Sequence, residues 1–308
     1  MTDISIDRGL LNRFESALNP RAIEKSTIPA QVLGYGEIST IFQIDNNKDV
    51  AFKRMPLFTN RASAEGYVEK YRFYCNLLIE AGLNLPEDET VIVEVPGRPV
   101  VLYIAQAQLS VDDFCHKSIH SLSPDKVDQL IGRIVSEISK LFNFSRQQSP
   151  EIEIALDGQI SNWHSGRDSR TLFYIDTSTP LFRKNGIEQL DPELLLKSAP
   201  GFLRWIIRWL FLGDVMNRYY DQRQVYLDLA GNLYKEQRPD LIPVALNHIN
   251  HHLPVDIDPL TQNEVKKYYR EDKIIWTIFL LFRKIDRFIR TNILGKRYEF
   301  ILPGKIKR

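Results

Sequence analysis

The chain has 308 residues, 44% hydrophobic and 26% charged, which excludes a disordered tail, a collagen and a low-complexity polymer. Forty Lys and Arg against 39 Asp and Glu leave a net charge of +1, so the molecule as a whole is not a polyanion binder and no nucleic-acid partner is expected. Two cysteines, Cys75 and Cys115, build neither a disulfide framework nor a thiolate zinc site, and no stretch approaches the roughly 18 uncharged apolar residues of a spanning helix. The first residues lack the apolar core and cleavage site of a signal peptide, so a cytoplasmic globular protein is the expectation.

In chain order, Leu10, Leu11, Phe14 and Leu18 recur near every 3.6 residues and predict a short amphipathic helix that Asn19-Pro20 ends. Residues 1–24 form this extension. From Val32 to Leu109 strands dominate. Two apolar-polar alternations flank the turn cluster at 45–49, and Pro96-Gly97 separates two more strands. Between them lies one helix ending at Ala81-Gly82, where Gly82 suits the left-handed position after a helix. A five-stranded antiparallel sheet with one inserted helix is the expected assembly over 25–110. Beyond Ser110 the pattern turns helical, first with the stripe Val127, Leu130, Ile131, Ile134, Val135, Ile138, Leu141 and Phe142. The strings at 151–157 and 171–177 suit strands paired with each other, and long helices follow from Asp191 to Arg290 within a helical region over 111–308.

Four sites carry candidate chemistry. Gly34, Gly36 and Ser39 lie between two strand-like strings, where glycines let backbone N–H groups approach a phosphate, although a lone G-x-G also reads as a plain turn. Lys53 ends the next strand; its bland reading is a solvent-facing ammonium. Its functional reading is an ammonium over phosphates, oriented by a carboxylate on the following helix. Glu65 and Glu69 both stand there one turn apart, with Glu69 preferred. Asp157 and Asn162 follow a third apolar string, and Asp176 ends a fourth. Two carboxylates and an amide arriving from strand ends suit Mg²⁺, and Asp157 suits proton abstraction from a hydroxyl, whereas each alone fits an Asx-turn.

Together these sites resemble the protein-kinase-like superfamily. Val50-Ala51-Phe52-Lys53 is similar to the V-A-I-K strand, Leu33-Gly34-Tyr35-Gly36-Glu37-Ile38-Ser39 to the Gly-rich loop, and Asp157 to Asn162 keeps the D-x-x-x-x-N spacing of the catalytic loop. Asp176 follows Asn162 at a separation compatible with the metal-binding aspartate. Ala155-Leu156 replaces His-Arg, Thr177-Ser178 replaces Phe-Gly, Ser39 replaces the third glycine, and no A-P-E segment follows. The likeness is therefore to the atypical branch, similar to aminoglycoside phosphotransferases and RIO-type kinases. It implies an α+β, bilobal fold and an ATP- and Mg²⁺-dependent phosphotransferase. Lys53 would meet the α/β-phosphates with Glu69 orienting it, Asn162 and Asp176 would hold Mg²⁺, and Asp157 would act on the acceptor hydroxyl. Gln106 and Gln108 would lie beside the adenine. A small-molecule acceptor is favoured, since no peptide-docking segment can be read; a pseudokinase and a kinase-fold nucleotidyltransferase are the alternatives.

Three remaining features have bland and functional readings. His248 and His252 have metal-ligand spacing, yet a solvated helix end is the preferred reading. The aromatic string at 202–212 and the segment from Lys266 onward, with thirteen Lys and Arg against four acids, are core helix and solvated face respectively, or else sites of peripheral contact with a membrane or acidic partner. The apolar run at 274–282 is too short to span a bilayer and is expected to be a buried helix.

Overall fold

The computed structural model describes residues 4–36, 38–166, 171–191, 194 and 213–302. Helix α1 (Arg8–Ala17) starts where the Asp7 carboxylate accepts the Leu10 N–H at 2.9 Å, and it buries Leu11 and Phe14. The strands β1 (Ala30–Tyr35), β2 (Thr40–Ile44), β3 (Val50–Phe58), β4 (Asp88–Val93) and β5 (Val100–Ala107) form the expected antiparallel five-stranded sheet, in the order β1-β2-β3-β5-β4. Asp45 and Asn46 take positive φ in the β2–β3 turn, as short Asx side chains tolerate.

Both faces of the sheet are covered, so β3 and β5 are apolar almost throughout rather than alternating. On one face α1 packs against Phe42, Phe52, Val101 and Tyr103. On the other lies the main core, shared with α2 (Arg61–Glu80) and the helices that follow. Neighbouring side chains on a strand point to opposite faces. Arg54 therefore enters the α1 face and Lys53 the core face. Arg54 is held there by both oxygens of Glu15 at 2.7 Å and by Glu299 at 2.9 Å, and Tyr103 donates to Glu15 at 2.6 Å. The segment carrying Glu299, Tyr298 and Ile301 thus closes over the back of the sheet beside α1.

Asn60 and Ser63 cap the start of α2 reciprocally, and Gly82 at φ +89° follows its end as expected. After β5 the chain becomes helical: α3 (Pro124–Gln148) buries the predicted stripe and lies along α5 (Ile242–His252), while α4 (Gln222–Lys235) lies along α6 (Gln262–Phe288).

Two expectations are corrected. The string at 152–154 (β6) does not pair with 172–174 (β8). β6 pairs with β9 (Phe182–Lys184), which in turn pairs with β10 (Ile187–Glu188), and β8 pairs with β7 (Trp163–Ser165). The cause is the polar stretch between the two strings, which supplies β7 as a nearer partner for β8. The run at 274–282 is helical but none of it is fully buried: Ile275, Trp276, Phe279, Leu280 and Phe282 are half-buried, and Ile274, Ile278 and Leu281 are exposed. The string at 202–212 and the tail at 303–308 lie outside the described residues. No helix among the described residues is long and apolar enough to cross a membrane.

Candidate functional site

Lys53, the loop from Asp157 to Asn162, and Asp176 meet through a continuous set of contacts. The Asn162 side-chain amide donates to the Asp157 carbonyl at 3.1 Å. The Asn162 carbonyl accepts the Ile175 N–H at 3.0 Å. The Ile175 carbonyl accepts Lys53 Nζ at 2.6 Å, and Lys53 Nζ lies 3.9 Å from Asp176 Oδ1. The local folding is simple. β6 and β8 deliver the two aspartates from strand ends, and the Asp157 carboxylate caps the Gln159 N–H at 3.1 Å. Asp157 N–H donates to the Tyr174 hydroxyl at 3.2 Å, which ties the loop to β8. Gly158 permits this path, because a Cβ there would come within 2.6 Å of Val225 and 3.1 Å of Ile138.

Lys53 is buried. That burial draws its ammonium below the ordinary lysine range, opposed first by the Asp176 charge and then by Cys75 and Asp88. A desolvated cation with one nearby carboxylate is suited to receive a polyanion. Asp176 is about a third exposed and accepts from Ser178 Oγ at 3.1 Å. Asn162 has committed its amide nitrogen to Asp157, and its Oδ1 makes no hydrogen bond among the described residues. Asn162 and Asp176 line one cavity and offer hard oxygen donors, a set that fits Mg²⁺.

That cavity has a volume of about 360 Å³. At one end Gly36, Ile38 and Ser39 arch over it, in a hairpin closed by Gly36 N–H donating to the Ser39 carbonyl at 3.0 Å. Gly36 admits no larger residue without displacing Ser39, whose Oγ would lie 2.6 Å from a Cβ. Gly34 lies on β1 against Ile41 and does not line the cavity. At the other end α4 and α6 contribute Asp228, Asp272, Tyr268, Tyr269 and Trp276. Burial and the Asp272 charge push the Asp228 carboxyl up to about 6, against a hydrogen bond donated by Tyr268 at 2.9 Å. Gln159 links the two ends, accepting from Asn232 at 3.2 Å and from Lys235 at 3.3 Å.

Three predicted roles are corrected. Glu69 is exposed and lines a shallow depression with Arg8 and Thr90 on the far side of α2, and Glu65 is paired there with Arg61 at 2.8 Å. The reason is rotational. α2 turns Tyr67, Tyr71 and Tyr74 inward, and residues two places from Tyr67 on a helix point away from it. The carboxylate facing Lys53 is Asp176. Gln106 lies between Ala51 and Asp88 inside the sheet, and its side chain donates to Thr177 at 3.1 Å, so it secures the segment after Asp176 and does not line the cavity. Gln108 gives its N–H to the Asp49 carbonyl at 2.7 Å and likewise does not line the cavity.

Gln159, Asp228 and Asp272 line the cavity and are residues that motif reading does not reach. Asp228 alone leaves a trace, an acid inside the apolar helical string Tyr226-Leu227-Asp228-Leu229-Ala230. His248 bonds Asp128 at 3.0 Å, and no group of three or more metal-ligating side chains is present among the described residues. No curated protein matches the chain. Residues 20–287 match DUF6206, described as a family of unknown function, and the chain belongs to that family.

Proposed function

We propose that the chain is an ATP- and Mg²⁺-dependent phosphotransferase of bilobal, kinase-like architecture, passing the γ-phosphate to a hydroxyl of a small molecule in the cytoplasm. One observation carries this reading: Asp157, Asn162 and Asp176 line one cavity, and Lys53, far from them in sequence, buried and not itself part of the lining, is joined to them through the Ile175 carbonyl and the Asp176 carboxylate. Phosphoryl transfer asks mainly for positioning and charge neutralisation, and this is the set of groups it uses.

In this reading Lys53 meets the phosphates nearest the adenosine, held by Asp176 in place of a helix glutamate. Asn162 and Asp176 would hold Mg²⁺, which would neutralise charge on the phosphate oxygens. Asp157 accepts the proton of the acceptor hydroxyl as its oxygen bonds to the γ-phosphorus; the bond to the bridging oxygen breaks and ADP leaves. The hairpin at 36–39 covers the phosphates. The acidic, aromatic end formed by α4 and α6 receives the acceptor, and its carboxylates and tyrosine hydroxyls suit a small polar molecule.

Incubation of the protein with a metabolite pool and ATP labelled at the γ or the α position tests the reading, with Asp157→Asn and Asp176→Ala run beside it. Label passing from the γ position only, and lost in both variants, is the expected result. Transfer of α-label assigns nucleotidyl transfer instead. A rise in melting temperature with Mg·ATP and no transfer assigns a pseudokinase.

A further inference from the structure

α6 has two working faces. Tyr268, Tyr269, Asp272, Ile275 and Trp276 line the cavity. Ile274, Ile278, Leu281, Ile285 and Phe288 form the opposite stripe, at alternating spacings of four and three residues, and Ile293 and Leu294 continue it beyond the helix end, just before Gly295 at φ +60°. These seven side chains are between 37% and 67% exposed. Single exposed leucines are ordinary, but an apolar row running about 20 Å along one helix is a continuous patch and marks a contact surface.

The charges beside the stripe indicate what it contacts. From Lys273 to Arg297 there are seven Lys and Arg and one acid, Asp286, which is already paired with Arg290 at 3.0 Å. Lys284, Arg287 and Lys296 are exposed and have no ion-pair partner among the described residues. A second copy of the helix is a poor match. The positions flanking the stripe are Ile275, Thr277, Phe282, Lys284 and Ile289, with no carboxylate to meet Lys284 across a pair. We propose that this face of α6 docks on an anionic lipid bilayer, lying in the interface plane with its apolar row among the upper acyl chains and Lys284, Arg287 and Lys296 at the phosphates. The proposal is independent of phosphotransfer.

Vesicle co-sedimentation of the full chain tests it, comparing pure phosphatidylcholine with an equimolar mixture of phosphatidylcholine and phosphatidylglycerol. Binding to the anionic vesicles that weakens with added salt is expected, with little binding to the neutral ones. Two variants separate the contributions, Leu281→Ser with Ile285→Ser, and Lys284→Glu with Arg287→Glu. Each should weaken binding by about tenfold or more. All four side chains are exposed, so circular-dichroism melts should match the parent protein. Binding to neither vesicle, equal binding to both, or undiminished binding by both variants overturns the proposal. So does a concentration-dependent dimer without vesicle binding that Leu281→Ser with Ile285→Ser abolishes, which assigns the face to a second copy.

Discussion

Lys53 Nζ lies 3.9 Å from Asp176 Oδ1 while donating to the carbonyl of Ile175, which lies 122 residues along the chain. A buried ammonium in that setting has its charge only partly met, and under the proposed function the polyphosphate of ATP would complete it. Lys53→Met keeps the aliphatic stem and removes the charge. The variant should fold normally yet bind Mg·ATP about tenfold or more weakly by calorimetry, the scale of a lost charge-assisted contact. Unchanged affinity would remove Lys53 from the nucleotide site.

Asp157→Asn retains the oxygen that caps the Gln159 N–H and loses the ability to accept a proton. A fall in kcat of roughly 10²–10⁴ with nucleotide affinity intact is expected. If the variant unfolds instead, Asp157 is a structural cap.

Glu69→Ala tests the rotational phase of α2. Glu69 is exposed on the side away from Lys53, so nucleotide affinity should stay within about twofold of the parent protein, the range of an ordinary surface substitution. A large loss of affinity would require α2 to rotate in the nucleotide complex.

The Asp228 carboxyl, pushed up to about 6 by burial and by Asp272, makes stability depend on pH. Its folded value lies above the ordinary 3.8, so the folded state holds the proton more tightly. The stabilisation is therefore complete below the unfolded value and is lost as pH rises through about 6. Asp228→Asn cannot ionise and keeps an oxygen for the Tyr268 hydroxyl. Melting curves from about pH 4 to about pH 8 should show the variant gaining on the parent as pH rises. A constant difference across that range would rule out ionisation of Asp228 as the cause.

Behind the sheet, the Glu15 carboxylate would be raised by burial, but the hydrogen bond and charge of Arg54, then Tyr103 and Arg297, hold it below its ordinary value. Its contribution is present at neutral pH and is lost as pH falls through the depressed value. Glu15→Gln removes one partner of a buried pair and should cost about 3–5 kcal/mol in urea unfolding at neutral pH. The cost should narrow on acidification, and a cost independent of pH would show that packing rather than charge is responsible.

The parts of the site legible in the sequence are those where chain spacing and spatial proximity coincide. Asp157 and Asn162 share one loop, Asp176 follows a string whose strand character is plain, and Lys53 belongs to another such string, although β3 runs on past it to Phe58 rather than ending there. The orientation of Glu69 is not legible because two acids on a helix do not show which side faces in, and the three tyrosines that turn inward are themselves polar at one end. The place of Gln106 is not legible because a strand end in sequence is not a free edge in space; β4 and β3 flank it on both sides. Asp228 and Asp272 reach the cavity only through the packing of α4 on α6, a relation between distant segments that no local pattern encodes. The run at 274–282 reads as buried because hydrophobicity counts residues without saying which are covered.

The chain passes between the sheet and the helical part at two places. One is the direct passage from Ala107 to Val111. The other is the continuation of α6 through Tyr298 to Ile301, anchored behind β3 by Arg54. A clamshell with one hinge swings wide, but one fastened along two margins does not. Separation of the sheet from the helical part therefore requires breaking the buried contacts of Arg54 with Glu299 as well as bending the chain at 107–111.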